Sequence, residues 1–459
     1  MVNLVVQIIS KQTVKPSSSP SDLHHLKPYK LCLFDQLTPA TYASLVFFYP
    51  ISDPNFNLHK TLTRLKNSLS ETLTLYYPFS GRTKDNLYID DFHEGVPFLE
   101  TRVNCRVSEY FKLKDTELLN HFIPFQPFCK EKETTSFPLL AFQVNLFACG
   151  GIALGISMCH KIMDGNSLSS FLKSWAAIFS GSPNKVIQPD LSLPSSLFPP
   201  RVALPQKYMA FMDQLWFKES NFITKRFVFD AKSIAELRAK AKSQEVPNPT
   251  RNEALTGFIW KHAMGAFWKI SSGSPRTSIL AHAVNLRPRM RLKSPEKCTG
   301  NVFWWRTVLV IAQSAEDKEV ELHRLVGLLR EALAVCDVEE ELILENLHGE
   351  DGFNSGMVNQ LEGMLSLLES EKLPDIFAFT RWSSSFFNDL DFGWGKPFWL
   401  GVMGKVGPEF RNLVILVDTQ CGNGIEAWVT LEDKLMAVLE NDPIFLAFAT
   451  LNPGIISSL

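Results

Sequence analysis

The sequence predicts an α/β fold of two domains, and three observations lead to that class. At 459 residues the chain exceeds what one hydrophobic core ordinarily supports, so two domains are expected. Its first half alternates strand-like and helix-like segments, which is typical of sheets flanked by helices. A proline-rich stretch near the middle then separates this half from the second.

The helices and strands of the first half follow from its hydrophobic pattern. Residues 58–75 carry leucines at helical spacing with polar residues between them, which predicts an amphipathic helix. Residues 166–179 predict a second helix, which ends before Gly181 and Pro183. Strands are expected at residues 87–90 and 98–100, on either side of a turn at Glu94-Gly95.

The proline-rich stretch predicts an extended crossover between the domains. Six prolines fall between Pro183 and Pro205, and proline favours extended backbone because its ring fixes φ and its nitrogen donates no hydrogen bond. The predicted organisation is an N-terminal domain at residues 1–182, a crossover at 183–215 and a C-terminal domain at 216–459. Beyond the crossover, a strand is expected at residues 224–229 and a helix at 233–242.

Composition and charge argue against several classes of protein. The formal net charge is −2, so the chain has no broad basic surface and nucleic acid is not an expected partner. The eight cysteines show neither a CxxC pair nor metal-ligand spacing. Reduced thiols in a cytoplasmic protein are therefore expected, with no disulfide framework and no metal site. The short N-terminal apolar stretch lacks a basic flank and predicts a strand instead of a signal peptide.

Residues 137–159 are apolar and long enough to span a bilayer. However, Gln143 and Asn145 interrupt the stretch, and Cys149-Gly150-Gly151 is a turn signal near its middle. Two strands joined by a turn are therefore predicted here, and no membrane partner is expected.

A candidate catalytic pair follows the second of these strands, where the strand ends at His160 and the next helix starts near Asp164. Ligands bind in the loops at the carboxyl ends of strands. Imidazole is the side chain best suited to remove a proton near neutral pH, and Asp164 is close enough in sequence to fix the ring or the turn. On the residues alone, a histidine bonded to backbone and an aspartate acting as a helix N-cap remain open.

Cys159, beside His160, raises the alternative of a cysteine–histidine nucleophile pair. Successive strand residues point to opposite faces, so Cys159 is expected to face away from His160. The chain also lacks a GxSxG nucleophile elbow. A covalent enzyme intermediate is therefore the weaker mechanism.

A second motif, Asp391-Phe-Gly-Trp-Gly-Lys-Pro, lies in the C-terminal half. A protein kinase is excluded because no glycine-rich loop, strand lysine or His-Arg-Asp loop precedes it. With His160-Lys-Ile-Met-Asp164 upstream, the chain resembles the plant BAHD acyl-CoA-dependent acyltransferases, and most of all the group containing vinorine synthase and salutaridinol acetyltransferase. Further matches to the family lie at residues 33–37, 77–82, 95–98, 250–253, 283–287, 300–301 and 424–429.

The resemblance implies a monomer of two similar domains, each a mixed β-sheet flanked by helices, with a central solvent channel as in chloramphenicol acetyltransferase. It implies that the segment near residues 376–400 packs with the N-terminal domain. His160 would be the general base for direct attack of an alcohol on the thioester, and Asp164 would pair with Arg287. The second motif would hold structure through Asp391, Gly393, Trp394 and Gly395.

The resemblance also suggests residues for the oxyanion and the cofactor. Thr380 and Trp382 would face the channel and stabilise the oxyanion, whereas Arg381 stands where related enzymes have a small residue. The phosphates of coenzyme A are expected near the amides around Ser167 and the charges of Arg251 and Lys396. For the two cations, a structural or surface role is an equal alternative.

Two aromatic clusters, at residues 303–305 and 386–387, would suit a bulky apolar alcohol such as a terpenoid or alkaloid, although aromatic residues more often pack in a core. The pocket candidates are Phe303, Trp305 and Phe387. The expected function is O-acetylation of a plant specialised metabolite, with acetyl-CoA or another acyl-CoA as co-substrate and no permanently bound cofactor. N-acylation, acylsugar acylation, thioester hydrolysis and non-catalytic ligand binding are the alternatives.

Overall fold

The computed structural model describes most of the chain. The residues described are 3–19, 22–23, 25–50, 56–129, 137–202, 204, 213, 216–271, 277–290, 292–310, 320–334, 374–382, 390–407, 410–420 and 422–455. The predicted pocket residue Phe387 lies outside these ranges.

Both halves of the chain contain strands and helices. The strands are β1 (Val6–Val14), β2 (Tyr29–Lys30), β3 (Tyr42–Tyr49), β4 (Arg82–Lys84), β5 (Tyr88–Asp90), β6 (Val96–Val103), β7 (Leu140–Phe147), β8 (Ile152–Cys159), β9 (Phe222–Phe229), β10 (Ser278–Asn285), β11 (Phe303–Val310), β12 (Asp375–Trp382), β13 (Trp399–Gly401), β14 (Leu413–Asp418), β15 (Ile425–Glu432) and β16 (Thr450–Leu451). The helices are α1 (Leu33–Leu37), α2 (Leu58–Leu75), α3 (Val107–Tyr110), α4 (Gly165–Ser180), α5 (Leu193–Leu197), α6 (Ala231–Lys240), α7 (Arg251–Ile270), α8 (Leu322–Ala334), α9 (Asp433–Leu439) and α10 (Pro443–Leu446).

Two mixed sheets organise the molecule. The N-terminal sheet has the strand order β1-β6-β7-β8-β3-β13, in which β6 and β7 are parallel and the other pairs antiparallel. The C-terminal sheet has the order β11-β10-β12-β14-β15-β9-β16, with β12 parallel to both β10 and β14. A small sheet of β2, β5 and β4 lies beside them. The predicted two-domain α/β fold with mixed sheets is confirmed.

Helices α2 and α4 pack on the N-terminal sheet through a buried tryptophan. The indole N–H of Trp175 on α4 donates to the Leu65 carbonyl at 3.2 Å and to Ser68 Oγ at 3.0 Å, both on α2. Its ring centroid lies 4.9 Å from that of Phe142 on β7. Four of the five leucines at helical spacing in α2 are buried in this layer, and Leu58 at the first position of the helix is exposed. The predicted and observed bounds of the helix coincide.

Strands β7 and β8 form the predicted hairpin, and its polar residues are satisfied inside the sheet. Asn145 donates to the carbonyls of Phe122 at 2.9 Å and Ala153 at 3.0 Å, and Gln143 donates to His121 at 2.8 Å. Gly150 has φ +87°, a left-handed conformation that glycine adopts without strain. Among the helices in the described part of the chain, none is long and apolar enough to cross a membrane.

The predicted segment near residues 376–400 is divided between the two domains. Its first part is β12, which lies inside the C-terminal sheet because it pairs with β10 and β14. Its later part lies on the N-terminal sheet, where β13 pairs with residues 46–48 of β3. The chain therefore crosses back between the domains within this segment.

Candidate active site

The backbone of His160 is fixed at the end of β8 by two neighbouring segments. Its N–H donates to the Thr41 carbonyl at 2.8 Å, just before β3. Its carbonyl accepts a hydrogen bond from Asn301 Nδ2 at 2.8 Å, just before β11. One contact comes from each domain, so the imidazole lies where the two domains meet.

The side chain of His160 lines a cavity of ≈ 140 Å³ between the domains. The N-terminal domain contributes residues from α1, the loop before β3 and the start of α4, and the C-terminal domain contributes residues from β10, β11, β12 and β14. The lining residues include Phe34, Thr41, Phe128, His160, Asp164, Trp216, Arg287, Phe303, Trp305, Thr380, Arg381, Trp382 and Phe410. The lining is mainly apolar, and the imidazole of His160 provides the main basic nitrogen in the cavity.

The imidazole of His160 is poised to act as a neutral base. Burial lowers its pKa, and this outweighs the opposing effects of its own carbonyl, of Asp164 and of Asn301. Nδ1 is buried without a hydrogen-bond partner among the described residues, so Nε2 is the ring nitrogen that faces the cavity. The ring of Phe303 lies edge-on at 5.6 Å between centroids. A neutral imidazole with an accessible nitrogen can accept a proton near pH 7.

Asp164 is both the N-cap of α4 and the partner of a buried arginine. Its Oδ1 accepts hydrogen bonds from the Ser167 N–H and hydroxyl, each at 3.0 Å. Its Oδ2 lies 2.5 Å from Arg287 Nη1 and also accepts from the Val302 N–H at 3.0 Å. Burial acts to raise the pKa of Asp164, but Arg287 and these donors outweigh it and hold the pKa below its usual value. The carboxylate is therefore ionised, and both of its oxygens are engaged by these donors, although Asp164 and Arg287 also line the cavity.

The structure removes Ser167 from the predicted contacts with coenzyme A. Its side chain is fully buried, its N–H is used by Asp164, and its hydroxyl bonds to the Gly300 carbonyl at 2.9 Å. Because α4 is already capped from within, Ser167 has no group left for a phosphate. Arg251 and Lys396, like Ser167, lie outside the described lining of the cavity.

Thr380, Arg381 and Trp382 line the cavity from β12, across from the N-terminal domain. Arg381 Nη2 lies 2.9 Å from one oxygen of Asp418, and Arg251 Nη2 lies 2.6 Å from the other. Two guanidinium groups thus share one mostly buried carboxylate, so this cluster carries one net positive charge at the cavity. The unusual arginine of the Thr-Arg-Trp segment is therefore held by an ion pair.

An aromatic wall faces the cavity near His160. Trp216 lies 4.8 Å from Trp305 and 5.6 Å from Phe410, centroid to centroid, and Phe410 stacks on Phe128 at 4.4 Å. The predicted pocket residues Phe303 and Trp305 belong to this wall. The sequence does not point to Trp216 or Phe410, because single aromatic residues far apart in the chain give no local signal.

Two of the remaining sequence candidates lie away from the cavity. Cys159 is in the buried core of the N-terminal domain and does not line the cavity. Asp391 forms a turn in which its Oδ1 accepts hydrogen bonds from the N–H groups of Gly393 at 2.7 Å and Gly395 at 3.0 Å. Phe392 in this turn packs against Trp175 at 4.9 Å, and Trp394 packs against Tyr49 at 5.9 Å.

A family model described as the Transferase family matches residues 4–446. The chain belongs to this family, the BAHD acyltransferases. The match covers both sheets and the cavity between them, so the predicted family is confirmed. As a member of the family, the protein is an acyltransferase, and an acyl-CoA-dependent O-acyltransferase is the activity that its relatives support.

Curated relatives match this acyltransferase over almost its whole length. Akuammiline synthase 2 of Alstonia scholaris is 38% identical over 98% of this chain and 98% of its own length. Limonoid 7-O-acetyltransferase of Citrus sinensis is 38% identical over 97% of this chain and 98% of its own. The relatives thus include an enzyme named for O-acetylation of a limonoid.

Solved structures share the fold of this acyltransferase. Vinorine synthase superposes with a TM-score of 0.78 at 30% identity, covering 97% of this chain and 98% of its own. F. graminearum TRI101, solved with coenzyme A and T-2 mycotoxin, superposes with a TM-score of 0.71 over 93% of this chain and 100% of its own. At 16% identity the second likeness shows the fold alone.

Proposed function

We propose that this acyltransferase moves an acetyl group from acetyl-CoA to a hydroxyl of a polycyclic plant specialised metabolite, with His160 as general base. The observation that carries the proposal is the place of His160, whose imidazole lines a cavity built by both domains and whose pKa is lowered by burial. Vinorine synthase and limonoid 7-O-acetyltransferase, among the relatives, support an alkaloid or terpenoid acceptor. An apolar, aromatic lining suits either scaffold.

The proposed reaction is one direct transfer. As the alcohol oxygen attacks the thioester carbon, its proton passes to His160 Nε2 and a tetrahedral oxyanion forms. The carbon–sulfur bond then breaks, and the imidazolium returns the proton to the leaving thiolate. The products are an ester and free coenzyme A, and His160 is neutral again. A positioned base supplies roughly 10²–10⁴-fold of the rate, and the rest comes from positioning both substrates and stabilising the oxyanion.

The oxyanion and the phosphates of coenzyme A would contact different residues of β12. The Thr380 hydroxyl and the Trp382 indole are candidate donors to the oxyanion, since both line the cavity with His160. Arg381 and Arg251 share Asp418, which leaves one positive charge for a phosphate of coenzyme A. Lys396 is an exposed cation in the Asp391 turn and a weaker candidate for the same phosphates.

We also infer a cytoplasmic setting and a monomeric assembly. The six cysteines in the described part of the chain form no disulfide bond, which supports a reducing, cytoplasmic compartment. A monomer is expected from the family resemblance. The cavity is built from the two domains of one chain, which supports this expectation.

The test is thiol release from acetyl-CoA with a panel of terpenoid and alkaloid alcohols, followed by mass spectrometry of the products. We expect release that depends on the acceptor, an acetylated product, and loss of both in His160→Ala. His262→Ala is the matched control, because His262 on α7 is also largely buried but pairs with Asp442 far from the cavity. Release without any acceptor would indicate a thioesterase, and an N-acetylated product would indicate an amine acceptor; either outcome contradicts the proposal.

A further inference from the structure

A polar side chain lies directly behind His160. Asn301 is fully buried in the loop before β11. Its Nδ2 donates to the His160 carbonyl at 2.8 Å and to Asp35 Oδ1 at 2.9 Å, and its backbone N–H donates to the same Asp35 oxygen at 2.9 Å. Asn301 therefore connects the backbone of the proposed base to a buried carboxyl group.

Asp35 is the carboxyl group of a short, buried helix. It lies in α1 and is fully buried, and its Oδ2 accepts a further hydrogen bond from the Cys32 N–H at 2.8 Å. Burial raises its pKa, and the three N–H donors oppose this effect. A buried carboxyl group costs free energy unless hydrogen bonds offset the loss of water. Here two of the three offsetting donors belong to Asn301.

The loop that carries Asn301 is held on both sides. Gly300 donates its N–H to Ser167 Oγ at 3.0 Å and accepts a hydrogen bond from Arg287 Nη2 at 2.8 Å. Val302 donates its N–H to Asp164 at 3.0 Å. The ion pair between Asp164 and Arg287 therefore fixes the neighbours of Asn301, which gives Asp164 a physical link to His160 without contact between them.

Two complementary side-chain atoms in this cluster have no hydrogen-bond partner among the residues that the structure describes. They are His160 Nδ1 and Asn301 Oδ1, both buried, although their residues already share a hydrogen bond. The carbonyl of His160 itself and the side chain of Asn301 both act to raise the pKa of the ring. We propose that Asn301 is a positioning residue for His160, whose Nδ1–H donates to the Asn301 amide oxygen, and that Asp35 holds the amide in that orientation. The inference rests on the proposed role of His160 as base.

This arrangement selects the tautomer that the chemistry needs. With the proton on Nδ1, the lone pair is on Nε2, which faces the cavity. The opposite tautomer would present an N–H to the alcohol and would accept no proton. When Nε2 takes the proton of the alcohol, the Nδ1–H keeps its acceptor, so the hydrogen bond also stabilises the imidazolium.

Several charged groups surround this cluster and enter its pH dependence. Asp164 at the start of α4 acts to raise the pKa of His160, and its partner Arg287 lies behind it. Lys161, which follows His160, donates to backbone carbonyls at the end of α1, and burial lowers its pKa to about 8. Arg381 faces the same cavity from β12. The carboxyl group of Asp35 faces Asn301 directly and loses the Asn301 side-chain donor when Asn301 is substituted. The variant Asp35→Asn, which removes that carboxyl group, therefore separates the effect of Asp35 on the pH dependence from the effect of position 301.

The test compares Asn301→Ala and Asn301→Asp by the pH dependence of kcat/KM. Alanine removes an interaction that favours the protonated ring, so the acid limb should move to lower pH, and kcat should fall about 10–100-fold with KM for acetyl-CoA unchanged. Aspartate keeps an acceptor and adds a negative charge, so the acid limb should move up by roughly one pH unit. If Asn301 had only a structural role, its two variants would not move the acid limb of kcat/KM in opposite directions.

Asp35→Asn should lower kcat in the same direction as Asn301→Ala, and the double variant should be no worse than Asn301→Ala alone, because Asp35 acts through Asn301. Asn145→Ala is the matched control, since it removes another fully buried amide that bonds to backbone within the N-terminal sheet. It should lower stability and leave the acid limb in place. An acid limb that is unmoved in both Asn301 variants would overturn the inference even if His160→Ala is inactive.

A measurement on the wild-type protein covers the case in which these variants do not fold. Long-range ¹H–¹⁵N spectra of protein labelled at histidine nitrogen, with the His160 signals assigned by their loss in His160→Ala, identify the protonated nitrogen. A proton on Nδ1 of neutral His160 is expected. A proton on Nε2 would contradict the inference and leave the acyltransferase activity itself untouched.

Discussion

The two motifs that mark the family lie in different surroundings. His160 and Asp164 stand at the junction of the two domains, where the imidazole lines the cavity and the carboxylate is paired with Arg287. Asp391 stands in an exposed turn on the N-terminal sheet, where its carboxylate accepts hydrogen bonds from two glycine N–H groups. The longer motif is the more specific fingerprint, yet it is the one further from the chemistry. How well a motif identifies a family is thus independent of what its residues do.

Arg287→Met tests the buried side of this comparison and should have the largest effect. It leaves the Asp164 carboxylate buried without its cation, which costs about 3–5 kcal/mol of stability. We expect a correspondingly lower midpoint in urea unfolding, with partial recovery in the double variant Asp164→Asn/Arg287→Met. A loss below about 1 kcal/mol would mean that the ion pair does not hold the site.

The same pair predicts a pH dependence of stability. Since the folded-state pKa of Asp164 lies below its ordinary 3.8, its contribution is present above that pH. It is lost as the pH falls through the lowered folded-state pKa. Wild type and Arg287→Met should therefore converge in unfolding free energy as the pH falls below 3.8. Parallel curves down to the acid transition would contradict this.

Thr380→Val tests whether the cavity side of β12 takes part in the chemistry. Loss of one oxyanion donor typically costs about 10²-fold in kcat, so we expect a fall of that order with little change in stability. Thr72→Val, which removes a buried hydroxyl bonded to the Ser68 carbonyl in α2, is the control. Turnover within about threefold of wild type would exclude Thr380 as a donor.

Asp391→Ala tests the other motif. Removing the acceptor of the turn should lower stability by about 1 kcal/mol and leave kcat of the folded enzyme within about twofold of wild type. Urea unfolding and steady-state kinetics on the same preparation separate the two effects. A large fall in kcat at unchanged stability would give the second motif a catalytic role.

Arg381→Ser should have the smallest effect, since the side chain is more than a third exposed and shares Asp418 with Arg251. We expect KM for acetyl-CoA to rise about two- to fivefold at low salt, with the difference fading as salt screens the charge. Lys240→Ala removes an exposed cation on α6 and controls for net charge. An unchanged KM at low salt would exclude Arg381 from phosphate binding.

Local pattern predicted the elements that bury one face. Leucine spacing gave α2 with its observed bounds, and the turn at Gly150 gave the β7–β8 hairpin despite Gln143 and Asn145. These predictions succeed because a helix or strand that buries one face shows that face as a hydrophobic pattern in its own local sequence. The division of residues 376–400 between the sheets could not be predicted, since it depends on pairing of β12 with β10 and β14, which are distant in sequence.

The sequence predicts those site residues that belong to a short local motif. The sequence placed His160 after a strand and Asp164 at a helix start, and the resemblance supplied Arg287. Asn301 and Asp35 appeared there as family matches without a role, because their contact joins positions far apart in the chain. Ser167 is a poor candidate for binding coenzyme A because Asp164 caps α4 by accepting the N–H of Ser167, a contact that the sequence suggests only once Asp164 is taken as the N-cap.

The most direct test of His160 as base is the pH dependence of kcat/KM for wild type and His160→Ala with one identified acceptor. We predict an acid limb in wild type whose midpoint lies below 6.5, because burial lowers the pKa of His160. The residual rate of His160→Ala should be at least about 10²-fold lower and should lack that limb. The same limb in both proteins, or a midpoint well above 6.5, would contradict the account.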